Sequence, residues 1–182
     1  MVRVIFFHGP KKSGKNTAAK AFPDRLELAF AEPLKKACLH LFDFTYDQCF
    51  DDDLKEVVDE RWDITPRKVL QILGTDCIRE KFGDQHFIKL LDVKIQQAIR
   101  DGHKLIIVTD CRFPNESSYA LSHGWPVIKI IRPSLVATDT HESERPLPDH
   151  LVTTTIVNEE GKIDEFLEKV RQAVDHFYRN QR

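Results

Sequence analysis

Two glycines, a short polar run and a lysine carry the first recognisable chemistry of this chain. His8-Gly9-Pro10-Lys11-Lys12-Ser13-Gly14-Lys15-Asn16-Thr17 follows directly on the apolar run Val2–Phe7. A glycine, four residues and then Gly-Lys, placed after a buried strand, is the pattern of a phosphate-binding loop. The glycines let the backbone curl so that successive N–H groups face one anion. The helix that follows adds the partial positive charge of its N-terminus, and the lysine ammonium reaches the outer phosphates. Gly9, Lys11, Lys12, Ser13, Gly14, Lys15, Asn16 and Thr17 are therefore the candidate nucleotide-phosphate ligands. The residue straight after the lysine usually supplies a hydroxyl to Mg²⁺. Here it is Asn16, and the hydroxyl comes one step later, at Thr17.

Asp110 ends the apolar run Lys104–Thr109, where a phosphate-loop enzyme keeps a second acidic residue that holds Mg²⁺ directly or through water. A plain strand-ending aspartate fits the same place. Arg112, two residues on, is placed to meet phosphate from that strand edge. The segment from Thr65 offers a helical argument. At about 100° per residue, Arg67, Gln71, Thr75 and Arg79 share one polar arc, opposite Val69, Leu70, Ile72, Leu73 and Cys77. An arginine suits a phosphate and a glutamine can bond a base edge with donor and acceptor together, so this arc is a candidate acceptor site; a solvated helix face is the plainer reading. Asp76 projects from the apolar side, either as a buried structural acceptor or as a site group. Lys35, one turn into a helix opened by Glu32-Pro33, is either a contact to an anionic acceptor or an ordinary surface lysine. Arg132, His141, Glu142, Ser143, Glu144 and Arg145 sit in a charged stretch suited to a lid that closes over a transferring phosphate.

Other chemistries are excluded by what is missing. The His141-Glu142 pair lacks the second histidine of a zinc-protease motif, and the sequence has no Gly-x-Ser-x-Gly elbow and no paired Cys-x-x-Cys. The Asn/Thr-Lys-x-Asp guanine signature of GTPases is absent as well, which favours a metabolic kinase over a GTP switch. A net charge of −2 argues against binding polymeric nucleic acid. Cys38, Cys49, Cys77 and Cys111 are widely spaced, as expected of reduced thiols in a cytoplasmic protein. No apolar run is long enough for a signal peptide or membrane span.

The elements that must position these groups alternate between strand and helix. Strands are expected at Val2–Phe7, around Leu26–Phe30, at Leu105–Val108, Val127–Ile131 and Val152–Val157. Helices are expected over Asn16–Phe22, from Glu32, from Thr65 to about Phe82, over Phe87–Arg100, Asn115–His123, and from Ile163 to the end. Phe44–Asp63 is irregular, with short helical pieces. This order predicts an α/β three-layer fold with a mainly parallel five-stranded sheet, ligands lying at the carboxyl ends of the strands. With 182 residues, 41% hydrophobic and 31% charged, one domain is expected over 1–182, with an acceptor-binding helical region at 32–86 and a lid-like loop at 132–150.

Lys-Asn-Thr after the second glycine resembles the loop of nucleoside monophosphate kinases of the adenylate kinase type. More of the chain resembles the deoxynucleoside monophosphate kinases of phage type. The resemblance rests on Gly9–Thr17, Phe30-Ala31-Glu32-Pro33-Leu34-Lys35, Pro66-Arg67 with Leu70–Asp76, Val108–Glu116, His141-Glu142-Ser143-Glu144, and Ile156-Val157-Asn158 with Gly161, in family order. It implies a P-loop kinase fold and transfer of the γ-phosphoryl of ATP to a deoxynucleoside 5′-monophosphate, with Mg²⁺, in the cytoplasm of a phage-infected host. Carried over, Lys15, Arg112 and Arg132 are catalytic, and Thr17 and Asp110 place the metal. Lys35, Arg67, Gln71, Thr75, His141 and Glu144 bind the acceptor. Homodimers occur among similar enzymes. Animal phosphomevalonate kinases resemble the same skeleton, with a similar Ser-Gly-Lys loop and Pro-Leu-Lys, and are the alternative within the fold. A nucleotide-binding module without catalysis is the alternative outside it.

Overall fold

Val4, Ile5, Phe6 and Phe7 are all fully buried, which makes the first strand the centre of a sheet covered on both faces. The computed structural model describes residues 2–135 and 141–180. In chain order it comprises β1 (Arg3–His8), α1 (Lys15–Ala19), β2 (Leu26–Leu28), α2 (Glu32–Leu41), α3 (Tyr46–Phe50), α4 (Pro66–Gln71), α5 (Glu80–Phe82), α6 (His86–Arg100), β3 (Leu105–Cys111), α7 (Pro114–Ser122), β4 (Val127–Ile131), β5 (Thr154–Val157) and α8 (Ile163–Arg179). A π-helical stretch, Ile72–Arg79, joins α4 to α5, and 3-10 turns lie at Leu54–Glu56, Glu142–Glu144 and Asp149–Leu151. The chain divides into two compact units, Met1–Ala29 with Leu91–Arg182, and Phe30–Leu90.

The first unit holds the sheet, in the order β2-β3-β1-β4-β5, with every neighbouring pair parallel. This is the expected α/β arrangement, and the sheet is wholly rather than mainly parallel. Side chains alternate across it, as the two-residue period of a strand requires. Ile5 and Phe7 pack with Ala18 and Ala19 of α1 and with Phe166, Val170 and Val174 of α8. Phe6, between them, stacks on Trp125 and meets the edge of Tyr119. Tyr178 ties α8 to β1, its hydroxyl donating to the Val4 carbonyl at 2.8 Å and accepting the Val4 N–H at 3.0 Å.

Three boundaries differ from expectation for identifiable reasons. α1 stops at Ala19 because Ala21 and Phe22 bond three residues back, to the carbonyls of Ala18 and Ala19, tightening the last turn before Pro23. β5 starts at Thr154, not at Val152, because the Thr153 hydroxyl takes the Val127 N–H that a longer ladder would use. β3 does not stop before Asp110 but runs to Cys111, and its register against β1 slips: Phe6 faces Val108 while His8 faces Cys111. One extra residue therefore bulges from β3 at Thr109–Asp110. Such bulges re-aim a side chain at a strand end.

The second unit is helical. Cys38, Phe44, Cys49 and Val69 form its core, with Leu39, Phe42, Phe50, Ile64, Leu70 and Leu73 packed around them. Two threonine caps set its entries. Thr45 and Gln48 form a reciprocal capping box on α3. Thr65 accepts the Lys68 N–H at 3.1 Å, with Pro66 at the first helical position of α4. The cysteines are free, three of them buried.

Candidate active site

The loop after β1 has the shape its glycines forecast. Gly9 has φ +147° and Gly14 φ +107°, with Lys12 between them at +61°. Neither glycine admits a side chain. A Cβ at Gly9 would lie 2.5 Å from the Ile130 carbonyl, and one at Gly14 would collide with the Asn158 carboxamide. The Lys15 ammonium, nearly buried, folds back on its own loop and donates to the carbonyls of Gly9 and Pro10, each at 2.7 Å. Ser13 is fully buried, and its hydroxyl has no hydrogen-bond partner among the described residues. An orphaned hydroxyl inside a cradle of positive-φ backbone fits a phosphate oxygen. Lys12 and Asn16 are exposed, and Thr17 is half-buried at the start of α1.

Several long-range contacts brace the loop. The Asn158 carboxamide, following β5, donates to the Ser13 carbonyl at 2.9 Å. His8, at the end of β1, pairs through Nδ1 with the Cys111 carbonyl at 3.0 Å, and its Nε2 accepts the Leu147 N–H at 3.2 Å. An Nε2 that accepts must be unprotonated, so Nδ1 carries the proton and His8 is neutral. Burial, reinforced by the nearby Lys15, Lys129 and Arg112 charges, outweighs the Cys111 bond and lowers its pKa to about 4.

Arg112 is held at both ends. Its backbone N–H, with that of Phe113, donates to the buried Glu116 carboxylate at 2.7 and 3.1 Å. Its guanidinium pairs with Glu144 Oε1 and donates to the Ser143 carbonyl at 3.2 Å. The other oxygen, Glu144 Oε2, accepts the Lys11 N–H at 3.0 Å. His141 closes the same turn, its Nδ1 accepting the Ser143 N–H and lying 2.8 Å from the Ser143 hydroxyl. Arg132, more exposed, pairs with Glu160 at 3.1 Å. Residues 136–140 of the expected lid-like loop lie outside the described residues.

The structure thus gathers Lys11, Ser13, Lys15, Arg112, His141 and Glu144 in the first unit, and Lys35, Arg67, Gln71 and Thr75 in the second. Of the acceptor group, His141 and Glu144 stand apart from the other four by unit. In the second unit Arg67 pairs with Glu56, and Lys35 lies 4.8 Å from the centre of the Phe50 ring. Gln71 closes α4, and Thr75 falls in the π-helical stretch. Asp76 is exposed, not the buried acceptor that α-helical spacing allowed. In the π stretch each turn takes one more residue, with bonds five apart, which swings Asp76 off the apolar side. Gly74 is buried within the same stretch, and a Cβ there would come within 3.0 Å of Leu34 Cδ2.

Asn158, Glu116 and His8 support the loop and Arg112, roles that their motifs do not state. Lys55 belongs to no motif of the sequence. It is nearly buried and donates to Asp52 at 2.7 Å, beside the Glu56 that holds Arg67. A buried polar residue at the carboxyl end of a strand was the available signal for Asn158. None marked Lys55.

A family model described as deoxynucleotide monophosphate kinase matches residues 42–170. The chain belongs to the deoxynucleotide monophosphate kinase family. A protein of Acanthamoeba polyphaga mimivirus carrying that family name is 34% identical over 188 residues, covering 95% of this chain and 96% of its own. The deoxynucleotide monophosphate kinases of Enterobacteria phage T4 and Escherichia phage RB69 are each 29% identical, over 67% and 64% of this chain. The matches span 49% and 47% of those phage kinases' own lengths. Membership makes this a phosphotransferase family chain, in keeping with a parallel sheet that carries a phosphate loop after its central strand. No helix among the described residues is long and apolar enough to cross a membrane.

Proposed function

We propose that this protein transfers the γ-phosphoryl group of ATP to deoxynucleoside 5′-monophosphates, giving ADP and deoxynucleoside diphosphates. The observation that carries the proposal is the loop of residues 9–17, with its unpartnered buried Ser13 hydroxyl, in a chain of this family. An acceptor phosphate oxygen forms a bond to the γ-phosphorus as the bond to the β-phosphate oxygen breaks, so positioning and charge stabilisation account for the rate. Lys15 leaves the Gly9 and Pro10 carbonyls to meet the transferring phosphate, and Arg112 neutralises charge on its far oxygens. Arg132 and His141 act from the loop side. Arg67 and Lys35 hold the acceptor phosphate, while Gln71 and Thr75 meet the rest of the nucleotide.

Mg²⁺ keeps most of its ligands as water and phosphate oxygens, so one or two protein oxygens suffice. Thr17, in α1, and Asp110, at the β3 bulge, have the hard oxygen chemistry it takes. Bound there, it would neutralise phosphate charge.

Purified protein supplied with ATP, Mg²⁺ and a panel of deoxynucleoside monophosphates should release the matching diphosphates and ADP in equal amounts. Failure to convert any of them overturns the proposal. Turnover of phosphomevalonate alone would replace it with the alternative acceptor class.

A further inference from the structure

Glu144 occupies an unusual place for a carboxylate. Its side chain is 5% exposed, and its two oxygens bridge the Lys11 N–H of the glycine loop and the Arg112 guanidinium. A buried carboxylate needs strong donors to offset its lost hydration. The donors it has found are a loop N–H and an arginine, the same pair that a phosphate group takes at such a loop. Resting on the reading of residues 9–17 as a nucleotide-phosphate site, we infer that Glu144 is a positioning residue that stands in for phosphate there. On binding, the nucleotide displaces it and inherits Lys11 N–H and Arg112.

Three features make this exchange workable. A phosphate carries more charge than a carboxylate and has three acceptor oxygens, so it competes well for the same donors. Arg112 is fixed at its backbone by Glu116, so the exchange moves only its side chain. The turn bearing Glu144 is internally bonded, through His141 to Ser143 and through Arg145 N–H to the Glu142 carbonyl, so it leaves as one piece. The Arg112 guanidinium holds that turn twice, at the Glu144 carboxylate and at the Ser143 carbonyl. Withdrawal of Arg112 toward phosphate therefore takes from that turn both bonds the guanidinium makes to it. Nucleotide binding is in this way coupled to the turn of residues 141–145.

The test measures ADP binding, without acceptor, by calorimetry on wild type, Glu144→Gln and Glu144→Ala. Removing the resident carboxylate should tighten ADP binding about five- to tenfold in both variants, the scale of an ordinary coupling between two states. Wild type that binds ADP while the variants bind equally well or more weakly overturns the inference and leaves the phosphate-loop reading standing. Failure of all three to bind overturns both. Should the variants not fold, the wild type still decides. Titration of ¹⁵N-labelled protein with pyrophosphate should shift the Lys11 and Arg145 amide resonances with one midpoint. Movement of Lys11 with Arg145 unchanged overturns the exchange.

Discussion

In the glycine loop the groups proposed to face an anion belong to the backbone, held by positive-φ glycines and braced by Asn158 after β5 and by His8, which ties the end of β1 to Cys111 and Leu147. In the second unit the group proposed to face one is a long side chain, Arg67, which like the neighbouring Lys55 is held by a carboxylate on the short segment 52–56. The difference has an energetic side. Backbone N–H groups are already ordered, so the loop loses little entropy when it grips a phosphate. Arginine and lysine side chains must be immobilised, and pairing with Asp52 and Glu56 does part of that beforehand. A loop of the first kind suits a constant group such as the nucleotide polyphosphate. Side chains can be exchanged one at a time, which suits the half of the reaction where the substrate varies.

Lys15→Ala strikes the first region hardest. With the ammonium gone, kcat should fall at least about 10²- to 10³-fold, as when one preorganised charge-stabilising donor is removed. Circular dichroism should show the fold intact, because the Lys15 ammonium donates to the Gly9 and Pro10 carbonyls of its own loop. Near-normal turnover would erase the distinction between the regions.

The next largest effect separates them by pH. His8 has an ordinary pKa of 6.5 and a folded value of about 4. As pH falls from 6.5, the unfolded chain gains this proton before the folded one, so stability drops through that window and levels off below about 4. That lowering corresponds to about 3 kcal/mol. Denaturant midpoints measured from pH 7 to 4 should show it, and His8→Gln should flatten the profile. In the second unit Arg61, donating hydrogen bonds to Asp59, holds that carboxyl well below the usual carboxylate range. Its contribution is present above the unfolded carboxylate pKa near 4 and is lost only at lower pH. A profile that fell first below pH 4 would reverse the assignment.

Arg67→Ala should raise the acceptor KM about 10- to 100-fold, the loss of a charged hydrogen bond of ~1.5–3 kcal/mol, and leave the KM for ATP unchanged. Equal damage to both constants would mean that the regions do not divide the substrates. The smallest effect is expected from Asn158→Ala. Losing the carboxamide that braces the Ser13 carbonyl should cost about 1 kcal/mol of stability and a few-fold in the KM for ATP.

Much of this architecture is legible in the sequence because local rules state it. Val2–Phe7 announces a doubly covered strand, Gly9 and Gly14 mark backbone that excludes side chains, and Thr65-Pro66 specifies a helix start. The helical geometry of the segment from Thr65 was legible only in part. Arg67 and Gln71 lie on the α-helical turns before the register changes, whereas Asp76 lies beyond it, where a 100° step no longer applies. The pairing of Asp52 with Lys55 left no periodic trace, since it depends on the 3-10 turn at Leu54–Glu56.

By itself, then, the sequence determined the order of strands and helices and the glycine-lysine loop after β1, because backbone preferences and hydrophobic periods act over a few residues. Only the tertiary structure decided which groups complete that loop. The β3 bulge at Thr109–Asp110 is a matter of register between two strands about a hundred residues apart in the chain, and the Glu144 carboxylate reaches Lys11 across 133 positions. Contacts of that span arise from packing and strand order, which short-range pattern does not carry.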